Sequence, residues 1–390
     1  MDYNKFIAQH IQELPKSGIR KFFDLVNLMD NVISLGVGEP DFATPWEIRE
    51  AAIYSLEKGH TSYTSNLGLL SLRKEICRYL KDEDFNVEYN PVDECIITVG
   101  VSEALDLALR ALINIGDEVI YHEPCYVSYN AEIKMAHGVP VKIETNIDNE
   151  FSLDAKQIAE KITPKTKAII LNFPCNPTGA TLNNEQMTEI SKLAVEHDLI
   201  VLTDEIYSEL TYEERLPSIA SYPGMRERTI FLHGFSKAYA MTGFRVGFAC
   251  GPKELIDAMM KIHQYTMLCA SITSQEAALE ALRNSKKSML MMKNEYMQRR
   301  NYFVKRFNEM GLRCYKPRGS FYLFVEVTST KLSSLDFAEK LLEEERVAVV
   351  PGTAFGSCGE GFVRCCYAMS LEEIKVATDR IERFVKNMKD

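Results

Sequence analysis

Between residues 95 and 265 the chain repeats one pattern: a short run of consecutive apolar residues, then a longer segment whose apolar residues recur at helical spacing. The runs are Cys95–Val99, Glu118–Tyr121, Lys167–Leu171, Leu199–Thr203, Thr229–Leu232 and Val246–Cys250. The helical segments are Glu103–Ile113, Tyr126–Ala136, Glu185–His197 and Lys253–Tyr265. A strand that is apolar on both sides must be covered on both faces, as in a parallel sheet with helices above and below. The pattern therefore predicts an α/β domain with a mostly parallel central sheet.

After about residue 280 the pattern changes. A long polar helical stretch, Lys286 to Met310, leads to strands near Leu312–Tyr315 and Phe321–Val327. A helix follows from Leu335, then strands at Val347–Val350 and Phe362–Cys366, then a last helix opened by the capping box Ser370-Leu371-Glu372-Glu373. These elements predict a smaller α+β domain. The segment up to about Thr44 is too short to bury a core of its own, so it is expected to cross over and join that unit. The expected division is a large domain over 46–285 and a small one built from 1–45 and 286–390.

With 390 residues, the chain is long enough for two such cores. Its net charge of −10 opposes general binding to nucleic acid or anionic membranes, although a local basic pocket for one small anion is compatible with it. No apolar run approaches a membrane span, and Met1–His10 lacks a charged region followed by an apolar one, so a cytoplasmic protein is expected. The ten cysteines show no C-x-x-C spacing and several sit inside apolar runs. The seven histidines offer no H-x-x-x-H pair, so reduced buried thiols are expected rather than disulfides or a zinc site.

In an open parallel sheet, ligands bind beyond the carboxyl ends of the strands, which makes the polar residues just after each apolar run the informative ones. Gly100-Val101-Ser102-Glu103 opens a helix after the first run and would aim free amides at an anion, although a glycine turn into a helix is by itself ordinary. No G-x-x-x-x-G-K-[ST] occurs, and Gly36-Val37-Gly38-Glu39 lacks the third glycine of a dinucleotide fingerprint. Asn172-Phe173-Pro174-Cys175-Asn176-Pro177-Thr178-Gly179 reads as a tight loop able to fix an amide over the sheet. Asp204 ends a run that should be buried, and a carboxylate there calls for a cationic partner. Lys237, in His233-Gly234-Phe235-Ser236-Lys237, sits where desolvation would lower its pKa and make it a nucleophilic amine; Arg245 offers a fixed charge for a phosphate.

The set Ser236-Lys237, Met241-Thr242-Gly243-x-Arg245-x-Gly247, Asn176-Pro177-Thr178-Gly179 and Asp204-Glu205-x-Tyr207 resembles the class I/II aminotransferases of pyridoxal-phosphate fold type I. Matches from Leu35–Phe42 to Arg364 extend the resemblance over nearly the whole chain. It implies that Lys237 binds pyridoxal 5′-phosphate covalently and moves a proton between the substrate and the cofactor. Asp204 would pair with the pyridine nitrogen, Tyr207 and Asn176 would bond the ring's phenolic oxygen, and Tyr126 would stack on the ring. Val101, Ser102, Ser236 and Arg245 would hold the phosphate. Arg364 would grip the substrate carboxylate, Gly38 would let the substrate approach the backbone, and Tyr63 would reach the phosphate of a second subunit, implying a homodimer.

The resemblance implies transfer of an amino group between an L-amino acid, an aromatic, broad-range or aspartate-type donor, and a 2-oxo acid such as 2-oxoglutarate by a ping-pong mechanism. Ser102 replaces a lysine frequent in aspartate-preferring members, whereas Ser17–Phe23 and Phe321-Tyr322 look more like aromatic or broad-range members. Relatives acting on N-acetyl-diaminopimelate share the pattern, and Arg20 is a candidate for a distal carboxylate. A C–S β-lyase of the same fold would share Lys237, Asp204 and Arg364 but release ammonia. A cofactor-binding regulatory module is the third alternative; no appended basic segment supports it.

Overall fold

The computed structural model describes residues 1–14, 29–82 and 84–388. Its strands are β1 (Ile33–Ser34), β2 (Cys95–Thr98), β3 (Glu118–Glu123), β4 (Val139–Glu144), β5 (Thr166–Asn172), β6 (Ile200–Asp204), β7 (Thr229–Gly234), β8 (Gly247–Cys250), β9 (Tyr322–Glu326), β10 (Val347–Ala348), β11 (Val350–Pro351) and β12 (Phe362–Cys366). The central sheet of the described residues has the order β2-β8-β7-β6-β5-β3-β4. Strands β7, β6, β5, β3 and β4 pair in parallel, and β8 runs antiparallel to both its neighbours.

Helices cover both faces, which explains the unbroken apolar runs. Ile170, Leu202 and Ile230 meet the helices Gly100–Leu112, Ser128–Met135 and Lys253–Thr266 on one side. Their neighbours Ile169, Leu171 and Val201 pack against the helix Asn184–Glu196 on the other. All of these strand residues are fully buried or nearly so, and at about 25 cal/mol per Å² each such side chain contributes about 1.5–3 kcal/mol of transfer free energy.

Beyond the long helix Lys286–Glu309, β11, β12 and β9 form a separate antiparallel sheet, and β1 pairs in parallel with β10 through Ile33–Val347 and Ser34–Ala348. The final helix, Leu371–Asn387, begins with the Ser370–Glu373 capping box read in the sequence. Two expectations are corrected. Leu312–Tyr315 forms no strand and makes only an isolated bridge between Cys314 and Val325. Val347–Val350 is divided between two sheets, because β10 pairs with β1 and β11 with β12. Among the described residues no helix is long and apolar enough to cross a membrane.

Candidate active site

The carboxyl ends of β2, β3, β5, β6 and β7 and the start of antiparallel β8 open into one cavity of about 490 Å³. Val101, Ser102, Tyr126, Asn176, Asp204, Tyr207, Ser236, Lys237, Arg245, Gly38 and Arg364 all line it, so residues spread over 326 positions of sequence share one space. Tyr63 does not line it and is 81% exposed. Arg20 and the Ser17–Phe23 segment lie outside the described residues.

Lys237 follows β7 after a short turn, and its Nζ donates to the carbonyl oxygen of Gly38 at 2.7 Å. Burial lowers its pKa from 10.5 to about 8, because a desolvated ammonium is costly. Gly38 belongs to the segment running in from β1. A Cβ there would meet the Tyr322 hydroxyl, so the backbone passes against that ring.

Asp204 ends β6, 5% exposed. Burial raises its carboxyl from 3.8 to about 6, opposed by the hydroxyl of Tyr129, which donates to Oδ2 at 2.8 Å, and by the Ile206 amide, which donates to Oδ1 at 3.1 Å. Asn172, at the end of β5, fixes the neighbourhood: its Nδ2 donates to the Asp204 carbonyl at 3.0 Å and its Oδ1 accepts from the Asn176 amide at 3.2 Å.

Arg364 lies on β12, 4% exposed. Nη1 donates to Asn176 Oδ1 at 3.0 Å and Nη2 to the Gly36 carbonyl at 2.7 Å, while Nε is buried without a partner among the described residues. Its guanidinium sits 4.4 Å from the Tyr322 ring centre and 4.7 Å from that of Phe355. The Tyr322 hydroxyl lies 3.0 Å from that of Tyr207.

The remaining wall is the amino end of the helix Gly100–Leu112. Val99 precedes it and supplies no side-chain cap, so the first amides of the helix have no capping oxygen. Arg245 leans on this end: a Cβ on Gly100 would sit 2.7 Å from Arg245 Nη2. From below, Gly247 makes the close approach possible, since a Cβ there would lie 2.8 Å from the Gly100 carbonyl carbon and 2.9 Å from the Val101 nitrogen. Uncapped amides beside a guanidinium suit an anion with several oxygens.

Among the lining residues that escaped the sequence reading of the pocket are the polar side chains of Tyr129, Glu132 and Asn172. Tyr129 and Glu132 follow Tyr126 at successive intervals of three, a spacing that marks one helical face. Tyr126 itself lies two residues before the helix Ser128–Met135. Glu132 is 8% exposed and desolvation raises its carboxyl from 4.5 to about 8. Asn172 was read only as part of a turn.

A family model described as aminotransferase class I and II matches residues 30–381. The chain is 53% identical over 97% of its length to YugH of Bacillus subtilis (strain 168), covering 98% of that protein, whose name gives aminotransferase activity as unproven. It is 45% identical to the aspartate aminotransferase of Pyrococcus abyssi, over 96% of each chain. The crystal structure of an aromatic aminotransferase from Pyrococcus horikoshii superimposes with a TM-score of 0.90 at 44% identity, covering 94% of this chain and 99% of that one.

Proposed function

The chain belongs to the class I and II aminotransferases, and we propose that it uses pyridoxal 5′-phosphate to move an amino group from an L-amino acid, aromatic or of broad range, to 2-oxoglutarate. The observation that carries the reading is the joint placement of Lys237, Asp204 and the uncapped helix end around one cavity. The residues fit the group on three counts. Asp204 is a buried carboxylate with room for a cationic ring nitrogen. The amides of Val101 and Ser102, with Ser236 and Arg245, form a cradle for a phosphate. The buried, unpartnered Nε of Arg364 calls for an acceptor such as a substrate carboxylate.

When bound, the cofactor supplies an electron sink for the bond broken at the substrate α-carbon. Lys237 Nζ, depressed to about 8, would take the α-proton as a free amine and, as the ammonium, deliver it to the cofactor side rather than back to the α-carbon. Asp204 would hold positive charge on the ring nitrogen, and Tyr129 keeps the Asp204 carboxylate oriented for it. Arg364 orients the substrate by its carboxylate, with Asn176 fixing the plane of the guanidinium. Tyr207 and Asn176, both in the cavity wall, would offer donors to the phenolic oxygen, and Tyr126 would pack on the ring.

The aromatic or broad donor rests on the rings around Arg364, those of Tyr322 and Phe355, and on Ser102. The proposed working form is a cytoplasmic homodimer in which Tyr63 completes the partner's phosphate site. Its exposure fits this, as does the exposed apolar row Trp46, Ile53, Tyr54 and Leu56 along the helix Trp46–Glu57.

The test is a pair of half-reactions. Cofactor-loaded protein is mixed with single amino acids in the absence of any oxo acid, and 2-oxoglutarate is added afterwards. One equivalent of oxo acid released per site, with the cofactor absorbance restored by 2-oxoglutarate, is the expected result. Ammonia with pyruvate would identify a lyase, and binding without turnover of any amino acid would identify a regulatory module.

A further inference from the structure

The helix end that faces the cavity is itself held from behind. Glu103 lies in its first turn and folds back, with Oε2 accepting from the Val99 amide at 2.5 Å. Its other oxygen, Oε1, lies 2.7 Å from Nδ1 of His263, on the helix Lys253–Thr266. An ionised carboxylate only accepts, so Nδ1 is the donor.

His263 is fully buried in the seam between the two helices, and its Nε2 has no partner among the described residues. An imidazole placed there bears a desolvation cost that a leucine would not, and its bond to Glu103 is the return on it. The result is a rod of three links: His263, Glu103 and the amide of Val99, the residue immediately before Gly100 and Val101.

We infer that Glu103 and His263 are positioning residues for the phosphate-binding amides. In a capping box the residue before the helix spends its own side-chain oxygen on the first amides. Val99 has no such oxygen, so the first amides stay free for a ligand while Glu103 fixes the turn from the opposite side. Gly247 supports the turn from below and Arg245 flanks it, so Glu103 and His263 set the remaining direction. The inference rests on the proposed binding of a phosphorylated pyridine in this cavity.

The test compares two probes, pyridoxal 5′-phosphate and pyridoxal, titrated against the full-length protein freed of cofactor. The proteins are wild type, His263→Leu, Glu103→Ala and Glu103→Gln, the last retaining an acceptor for the Val99 amide. Thermal unfolding identifies any variant that fails to fold, in which case the comparison rests on the others. The preference for the phosphorylated probe is expected to fall about tenfold in His263→Leu and Glu103→Ala and less in Glu103→Gln, with pyridoxal affinity unchanged. Equal losses for both probes, or an unchanged preference, would overturn the inference and leave the proposed function standing. A wild type that does not distinguish the probes would overturn the phosphate assignment and the inference with it.

Discussion

Lys237 Nζ donates a 2.7 Å hydrogen bond to the carbonyl oxygen of Gly38, so the amine with the lowered pKa is tied to the segment that roofs the cavity. Arg364 makes the equivalent bond two residues earlier, to Gly36. Both bonds spend donors that a substrate or cofactor would claim, so this segment is coupled to occupancy of the site.

Because Lys237 titrates near 8 rather than 10.5, its free-amine fraction rises about tenfold per pH unit up to that value and then levels off. The rate at which cofactor-free protein is trapped by pyridoxal 5′-phosphate and borohydride should follow that curve, with mass spectrometry locating the adduct on Lys237. A rate still climbing tenfold per unit from pH 8 to 10 would show an ordinary surface lysine. Lys237→Ala should give no adduct at this position and lose about 100- to 10,000-fold in turnover.

Asp204 makes a prediction about stability. Its carboxyl is raised to about 6 from 3.8, so between those values the folded state holds a proton that the unfolded chain releases. Stability of the ligand-free protein from this group therefore falls as pH rises through that window, and the cost is complete above about 6. Asp204→Asn should be more stable to unfolding than wild type at pH 7, by up to about 3 kcal/mol, with the difference shrinking toward pH 4. The same variant should bind pyridoxal 5′-phosphate more weakly, since an amide cannot hold a charged ring nitrogen. A ligand-free variant less stable than wild type at pH 7 would contradict the first part.

Much of this site was legible because of where the sheet ends. Asp204 ends β6, while Lys237 and Asn176 lie in the turns that follow β7 and β5, all within a few residues of the end of an apolar run. Arg364 sits inside β12, where nothing in the run marks it, and only the resemblance singled it out. Strand β4 was missed because it is an edge strand with a single neighbour; Pro140, Lys142 and Glu144 interrupt its apolar character. Glu103 and His263 were invisible for a different reason: their meaning lies in a contact across 160 residues that no local pattern encodes.

Arg364→Lys keeps the charge and loses the fork. The present guanidinium reaches Asn176 and Gly36 at once and stacks between Tyr322 and Phe355, a geometry that an ammonium cannot reproduce. The expected outcome in steady-state assays is a fall in kcat/KM of about 10- to 100-fold, carried mainly by KM for the amino acid, with cofactor affinity unchanged. An equal loss of cofactor affinity would place Arg364 on the cofactor rather than on the substrate.

Gly247→Ala tests the support beneath the helix end. The added Cβ would stand 2.8 Å from the Gly100 carbonyl carbon and 2.9 Å from the Val101 nitrogen, and neither backbone atom can swing aside as a side-chain tip would. Either β8 or the turn must move, displacing the amides that face the cavity. Gly243, four residues earlier in the same motif, has open space around its Cβ position, so Gly243→Ala is the matched control. Pyridoxal 5′-phosphate affinity should drop by about tenfold or more in Gly247→Ala and hold in Gly243→Ala. The reverse order would mean that Gly243 serves a contact absent from the single chain, such as one with a second subunit. The contrast therefore separates crowding within the chain from crowding between chains.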